Sequence, residues 1–187
     1  MTPQLGTDGN RRVYPFRGIA QALAARRDKR QTLTLLYAVA VVIAATLTVC
    51  ALVAAGYTLE APLTVAALAA VAVVAERSSV RLTRNTEQSI STVPVLLSAV
   101  LFGPLAAAAV GAASMLGDAE LMSGNSDRAP RLKWAVYTST RCIAGAATGL
   151  TAQSVILFVP SDFGGLVAAA LIGSLVSEVI EIGFAML

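Results

Sequence analysis

The sequence predicts an all-α protein of the polytopic membrane type, with about six helices in one bundle. Of its 187 residues, 56% are hydrophobic and only 13% are charged, whereas soluble domains average roughly 25% charged residues. The mean hydropathy is +0.72, and apolar runs recur that approach the roughly 20 residues a helix needs to cross a bilayer. This composition argues against a disordered tail, a disulfide scaffold and a soluble enzyme.

The first 32 residues form a basic segment that differs from the rest of the chain. It contains seven of the 14 basic residues and two acidic ones. Pro15 could begin a helix there with Phe16 and Ile19 on one face. Such a helix would lie at the interface against anionic lipid; the alternative is a solvated leader that sets topology. We therefore divide the chain into a basic cytoplasmic segment, 1–32, and a transmembrane helical domain, 33–187.

Apolar runs locate the membrane helices along the chain. Four of these runs are clear, at 33–55, 63–75, 134–159 and 163–187. The second run is short and stops at Glu76-Arg77, so it predicts a thin or tilted span. The last two runs are separated by a tight turn at residues 160–162 and therefore predict antiparallel neighbours.

Residues 92–116 form either one kinked helix or a hairpin of two helices. Gly103 and Pro104 lie in the middle, and proline disfavours helix at the residue before it. As a hairpin, the helices would cover about 87–102 and 104–121. Thirteen of the 14 basic residues would then face the cytoplasm, as the positive-inside rule favours. The sequence therefore predicts a short helical hairpin at Gly103-Pro104, six crossings of the cell membrane and both termini inside.

Arg141, the remaining basic residue, lies within the fifth predicted helix. It follows Trp134 by seven residues, which places it roughly 10 Å below the inner interface. Glu178 and Glu181 in the last helix lie at about the same depth, so either one could form an ion pair with Arg141. Charges inside a bilayer usually pair or line a polar cavity. This group is therefore either a centre that senses a ligand or signal, or a structural ion pair.

Two further groups of residues are candidates for a specific role. Asp118 and Glu120 lie near the predicted cytoplasmic end of the hairpin, where they either form ion pairs with nearby basic residues or are simply solvated. Gly145 and Gly149 have the spacing that lets helix backbones approach closely. That approach would occur either within one chain or in a homodimer.

Several residue patterns typical of catalysis are missing from the sequence. It contains no histidine, and its two cysteines each lie alone in an apolar run. No phosphate-binding loop, dinucleotide-binding turn or nucleophile elbow is present. We expect no catalytic residue, no metal and no cofactor. We also expect no nucleic-acid binding, because membrane topology explains the net charge of +3.

Two patterns in the sequence resemble known families. An apolar half-helix, then Phe102-Gly103-Pro104, then a small-residue helix ending in Gly117-Asp118, resembles the substrate-binding subunits of energy-coupling-factor vitamin transporters. A longer stretch, about 60–160, is similar to the N-terminal membrane domain that precedes HD-GYP or diguanylate cyclase domains in actinobacterial cyclic-di-GMP signalling proteins. The segments that carry the second resemblance are 75–82, 131–134 and 145–150.

Each resemblance implies a different function and different partners. The signalling family implies a membrane sensory or anchoring module of a bacterial cyclic-di-GMP protein. Such proteins continue into a cytosolic output domain, whereas this sequence stops at Leu187. The transporter family implies the alternative, a subunit that binds a small, vitamin-like solute and works with a separate ATPase. A structural helix bundle without a ligand is the third hypothesis.

Overall fold

The computed structural model describes residues 16–78, 80–83, 86–88, 91–118, 130–159 and 163–186. Contacts between residues divide the chain into two units, Met1–Leu36 and Tyr37–Leu187. Pro15, where the sequence predicts a helix start, lies outside the described residues. Glu120 lies outside them as well.

The described chain contains five α-helices. They are α1 (Phe16–Ala54), α2 (Pro62–Arg77), α3 (Thr92–Ser114), α4 (Pro130–Phe158) and α5 (Phe163–Met186), with a 3-10 turn at Met115–Gly117. Four segments are long and apolar enough to cross a membrane: Gln31–Ala54, Thr92–Gly117, Arg131–Phe158 and Phe163–Phe184. The prediction of a helical bundle with segments suited to cross a membrane is confirmed, by length and composition. α2, with 16 residues, is shorter than these four.

A short β-hairpin, which the sequence analysis does not predict, follows α2. Strand β1 (Val80–Thr83) pairs antiparallel with β2 (Thr86–Gln88). The prediction that a helix begins near residue 87 is therefore wrong, since α3 begins at Thr92. β-Branched Val and Thr favour strands, and this polar stretch lies between the apolar runs. The predicted end of the hairpin near residue 121 is also too late, because regular helix stops at Ser114.

α3 is interrupted at Gly103, which has φ 82° and ψ −172°. Glycine adopts such angles readily because it lacks a Cβ atom. Pro104 then begins the second half of α3, at a position where proline is well tolerated. We call residues 92–102 the first arm and residues 104–114 the second arm.

The two arms fold back on each other as a hairpin. Ser91, which precedes the first arm, donates a hydrogen bond from Oγ to Glu76 Oε2 at 2.5 Å. Gly117, which follows the second arm, also lies against Glu76, because a Cβ placed there would be 3.1 Å from Glu76 Cβ. Since both ends of the pair reach the same residue of α2, the chain reverses direction at Gly103. The segment Thr92–Gly117 therefore does not cross a membrane as one straight helix, and each arm, roughly 16 Å long, is shorter than the hydrocarbon thickness.

The second arm lies at the centre of the helical core. Ala106, Ala107 and Val110 are completely buried. One cluster of apolar side chains joins this arm to the first arm and α2: Val65, Ala72, Val95, Ala106 and Val110. A second cluster joins it to α1 and α4: Ala45, Leu52, Ala108, Cys142 and Ala146. The small alanine side chains allow helices to pack closely on both sides of the arm.

Gly145 and Gly149 of α4 pack against the second arm. A side chain at Gly145 would overlap the carbonyl of Ala107, and one at Gly149 would overlap the backbone of Pro104. Both glycines are buried within the chain. They therefore serve intramolecular packing, and the homodimer interface that their spacing also allowed is not available in this conformation.

Candidate functional site

Arg141 of α4 lies between carboxylates from two other helices. Its Nη1 atom is 3.4 Å from Glu181 Oε1 of α5, and its Nη2 atom is 3.9 Å from Glu76 Oε2 of α2. The side chains of Arg141 and Glu76 are 16% and 14% exposed, and that of Glu181 is 31% exposed. One guanidinium therefore links α2, α4 and α5. We call Glu76, Ser91, Arg141 and Glu181 the polar cluster.

A close approach of two backbones sets the position of Arg141. Gly111 of the second arm lies so near α4 that a Cβ atom there would be 2.6 Å from the carbonyl oxygen of Arg141. The absence of a side chain at residue 111 lets α4 pack directly against this arm. Arg141 is held at the level where α2 ends.

Glu76 is held more firmly than Glu181. The hydrogen bond from Ser91 to Glu76 is short, as expected when the acceptor is a carboxylate, and Ser91 is fully buried. Glu76 therefore has both Ser91 and Arg141 as partners. Glu181, by contrast, is held within the described residues by its ion pair with Arg141.

The placement of Glu181 follows from a stripe of small residues along α5. The stripe consists of four buried residues that are spaced four apart along the helix: Gly165, Ala169, Gly173 and Ser177. Gly173 packs on Thr148 of α4, since a Cβ atom there would be 3.0 Å from Thr148 Cγ2. Glu181 comes four residues after Ser177, so it continues the face of α5 that meets α4.

The remaining predicted site residues lie elsewhere. Glu178 is exposed on α5, and no hydrogen bond or ion pair joins it to another described residue. Asp118 is half-buried at the end of the 3-10 turn. Cys50 is exposed, Cys142 is buried, and both are free thiols. Among the described residues, no group of three or more His, Cys, Asp or Glu side chains could hold a metal ion.

Glu76 and Ser91 belong to the cluster, although their sequence context does not single them out. In the sequence, Glu76 marks only the polar end of an apolar run. The sequence nevertheless contains a hint of this contact. In the predicted hairpin topology, the end of α2 and Arg141 lie near the same face of the membrane. A carboxylate at that end is therefore a natural third partner for the guanidinium.

Four helical segments long and apolar enough to cross a membrane, together with a half-buried cluster of charges between α2, α4 and α5, are features typical of multi-pass helical membrane proteins. Comparison of the chain with protein-family models, with curated proteins and with solved structures finds no match in any of the three. The two family resemblances in the sequence stay predictions.

Proposed function

We propose that this chain is the membrane-embedded sensory or anchoring module of a bacterial cyclic-di-GMP signalling protein. The observation that carries the proposal is the position of Arg141, which is shared between Glu76 of α2 and Glu181 of α5. A signal that favours one of these pairs over the other would change how α5 packs on α4. α5 would then transmit the change to an output domain in the cytoplasm.

The unequal hold on the two carboxylates supports this mechanism. Glu76 also accepts a hydrogen bond from buried Ser91, so the α2 side of the cluster is the fixed side. Glu181 is the more exposed carboxylate, so α5 is the side that would move. A ligand shifts such an equilibrium only by its difference in affinity for the two arrangements. The signal must therefore interact differently with α5 when the Arg141–Glu181 pair is made and when it is broken.

The orientation that we propose puts the polar-cluster end of the bundle in the cytoplasm. Arg77 at the end of α2, and Arg131 and Lys133 at the start of α4, are exposed near this end. Glu60 precedes α2 at the opposite end. Basic residues accumulate on the cytoplasmic side of membrane proteins. This orientation places both termini inside.

Cysteine labelling tests this orientation. Cys50→Ala and Cys142→Ala together remove the native thiols, and single cysteines are then introduced as Glu60→Cys or Arg131→Cys. In intact spheroplasts, we expect a membrane-impermeant maleimide to label Glu60→Cys and to leave Arg131→Cys unlabelled until the membrane is opened. Both positions are exposed, so accessibility depends on the side of the membrane. Labelling of Arg131→Cys in sealed spheroplasts would contradict the orientation.

The signalling proposal is tested in the bacterium that carries the gene. The variant Glu181→Gln removes the charge that holds α5 to Arg141, and we expect it to change the cellular cyclic-di-GMP level by at least about twofold, because residues that couple two sites typically contribute 0.5–2 kcal/mol. The matched control is Glu60→Gln, which removes a carboxylate outside the helices. Immunoblotting establishes that both variants are present at wild-type abundance.

Two results together would overturn the signalling proposal. The first is an unchanged cyclic-di-GMP level in the Glu181→Gln strain at normal abundance. The second is co-purification of the wild-type chain with an ATPase and a retained small solute, which would favour the transporter subunit.

A further inference from the structure

Glu178 is a carboxylate on the outer surface of a membrane-spanning helix. It lies within the candidate span Phe163–Phe184 and is exposed. It precedes Glu181 by three residues, which separates the two positions by roughly 4.5 Å along the helix axis. Arg141, the described cation nearest in depth, is already engaged by Glu181 and Glu76.

The side chains around Glu178 form a continuous apolar face. Along this face the residues recur at spacings of three and four: Val167, Leu171, Leu175, Glu178 and Ile182. Its four apolar members are between 41% and 67% exposed. We call these five residues the Glu178 face. Spacings of three and four are those of helices that pack side by side at a small crossing angle.

Lipid is a poor environment for this face because of its charge. An ionised side chain within the hydrocarbon region is costly, and such residues usually pair with another charge or border a polar cavity. Lysine and arginine have long side chains that reach the interface from inside the bilayer, whereas the glutamate side chain is shorter. The apolar members of the face suit lipid or another helix equally well, so Glu178 is the residue that distinguishes the two.

We propose that the Glu178 face binds a transmembrane helix of a partner protein, and that this helix carries a lysine or arginine at the depth of Glu178. A second copy of this chain is a less suitable occupant. A two-fold contact through this face would use the same patch on both copies and would bring two Glu178 carboxylates together. The inference rests on the position of α5 in the membrane and is independent of the signalling proposal.

The proposal is tested with the full chain in lipid nanodiscs and a synthetic transmembrane peptide. The peptide is a leucine-alanine helix with one lysine at the depth of Glu178, and the matched peptide has leucine at that position. Energy transfer between labelled chain and labelled peptide measures binding. We expect the lysine peptide to bind about tenfold more tightly than the leucine peptide, since polar contacts between membrane helices contribute roughly 1–2 kcal/mol.

Three variants make the test specific to Glu178. Glu178→Gln should abolish the preference for the lysine peptide, and Glu60→Gln should retain it. Glu178→Lys should instead prefer a peptide that carries glutamate. Thermal unfolding of Glu178→Gln should match the wild type, because Glu178 lies outside the polar cluster. Equal binding of the lysine and leucine peptides to the wild type would overturn the proposal. Energy transfer between two copies of the chain that exceeds the transfer to the lysine peptide would also overturn it.

Discussion

Replacing Arg141 with methionine is expected to lower the free energy of unfolding by about 2 kcal/mol. The change leaves Glu76 and Glu181 without the cation that lies 3.9 Å and 3.4 Å from them. Removal of one partner from a fully buried ion pair costs roughly 3–5 kcal/mol, because the remaining charge has no compensation. The cost is smaller here because the three side chains of the cluster are between 14% and 31% exposed. Titration with a denaturing detergent, followed by circular dichroism of the purified chain, measures the effect.

A combined variant separates the loss of pairing from the loss of side-chain volume. Glu76→Gln and Glu181→Gln, added to Arg141→Met, remove all three charges of the polar cluster. We expect this variant to recover most of the lost stability, because no unpaired charge then remains in the polar cluster. If Arg141→Met alone unfolds like the wild type, then the cluster does not stabilise the fold and the coupling of α5 through Arg141 fails with it.

Replacing Gly149 with alanine is expected to have an effect of at least similar size. A Cβ atom at this position overlaps the Pro104 backbone, which cannot move aside as a flexible side chain could. Either α4 must separate from the second arm, or the turn at Gly103 must deform. Overpacking of this kind typically costs 1–3 kcal/mol and occasionally more, and we expect about 3 kcal/mol. Gly145→Ala should behave in the same way, because its added Cβ atom meets Ala107.

The control for this prediction is a glycine-to-alanine substitution at a position where the added Cβ atom meets no other residue. Gly183 of α5 has nothing within 4 Å of an added Cβ atom. Alanine is the better helix former by about 1 kcal/mol, so Gly183→Ala should leave stability unchanged or raise it slightly. The two glycine substitutions are chemically identical and should differ in sign. Equal unfolding midpoints for Gly149→Ala and Gly183→Ala would show that the close contact between α4 and the second arm is not formed.

Both predictions concern the contact between α4 and the second arm. The second arm packs against α4 through Gly111, Gly145 and Gly149, and Gly111 lies directly at Arg141. The close contact between these helices therefore sets the position of Arg141, while Glu181 reaches the guanidinium from α5. Variants in the contact change the position of Arg141, whereas variants of Glu181 change how α5 is held. Comparison of the two kinds of variant distinguishes a loss of fold from a loss of coupling.

The turn at Gly103 is a feature of the fold that could be predicted from the sequence. Gly103-Pro104 marks a break that helix chemistry predicts. The charges of the loops then favoured a hairpin over a kinked helix. The strand pair Val80–Thr83 and Thr86–Gln88 is not predicted, because short polar strands carry little hydrophobic periodicity. Helix ends near loops were misplaced for a related reason, since they depend on local contacts that composition does not report.

The sequence by itself predicted the helical class, the main apolar helices, the reversal at Gly103 and the position of each charge along its helix. The position along a helix can be read from a sequence because a helix rises by a constant 1.5 Å per residue. Only the tertiary structure decided which carboxylates meet Arg141. Glu178 and Glu181 differ by only about 4.5 Å in depth but point in different directions around α5. The packing of Gly173 on Thr148 sets the rotation of α5, so that Glu181 faces Arg141 and Glu178 faces outward.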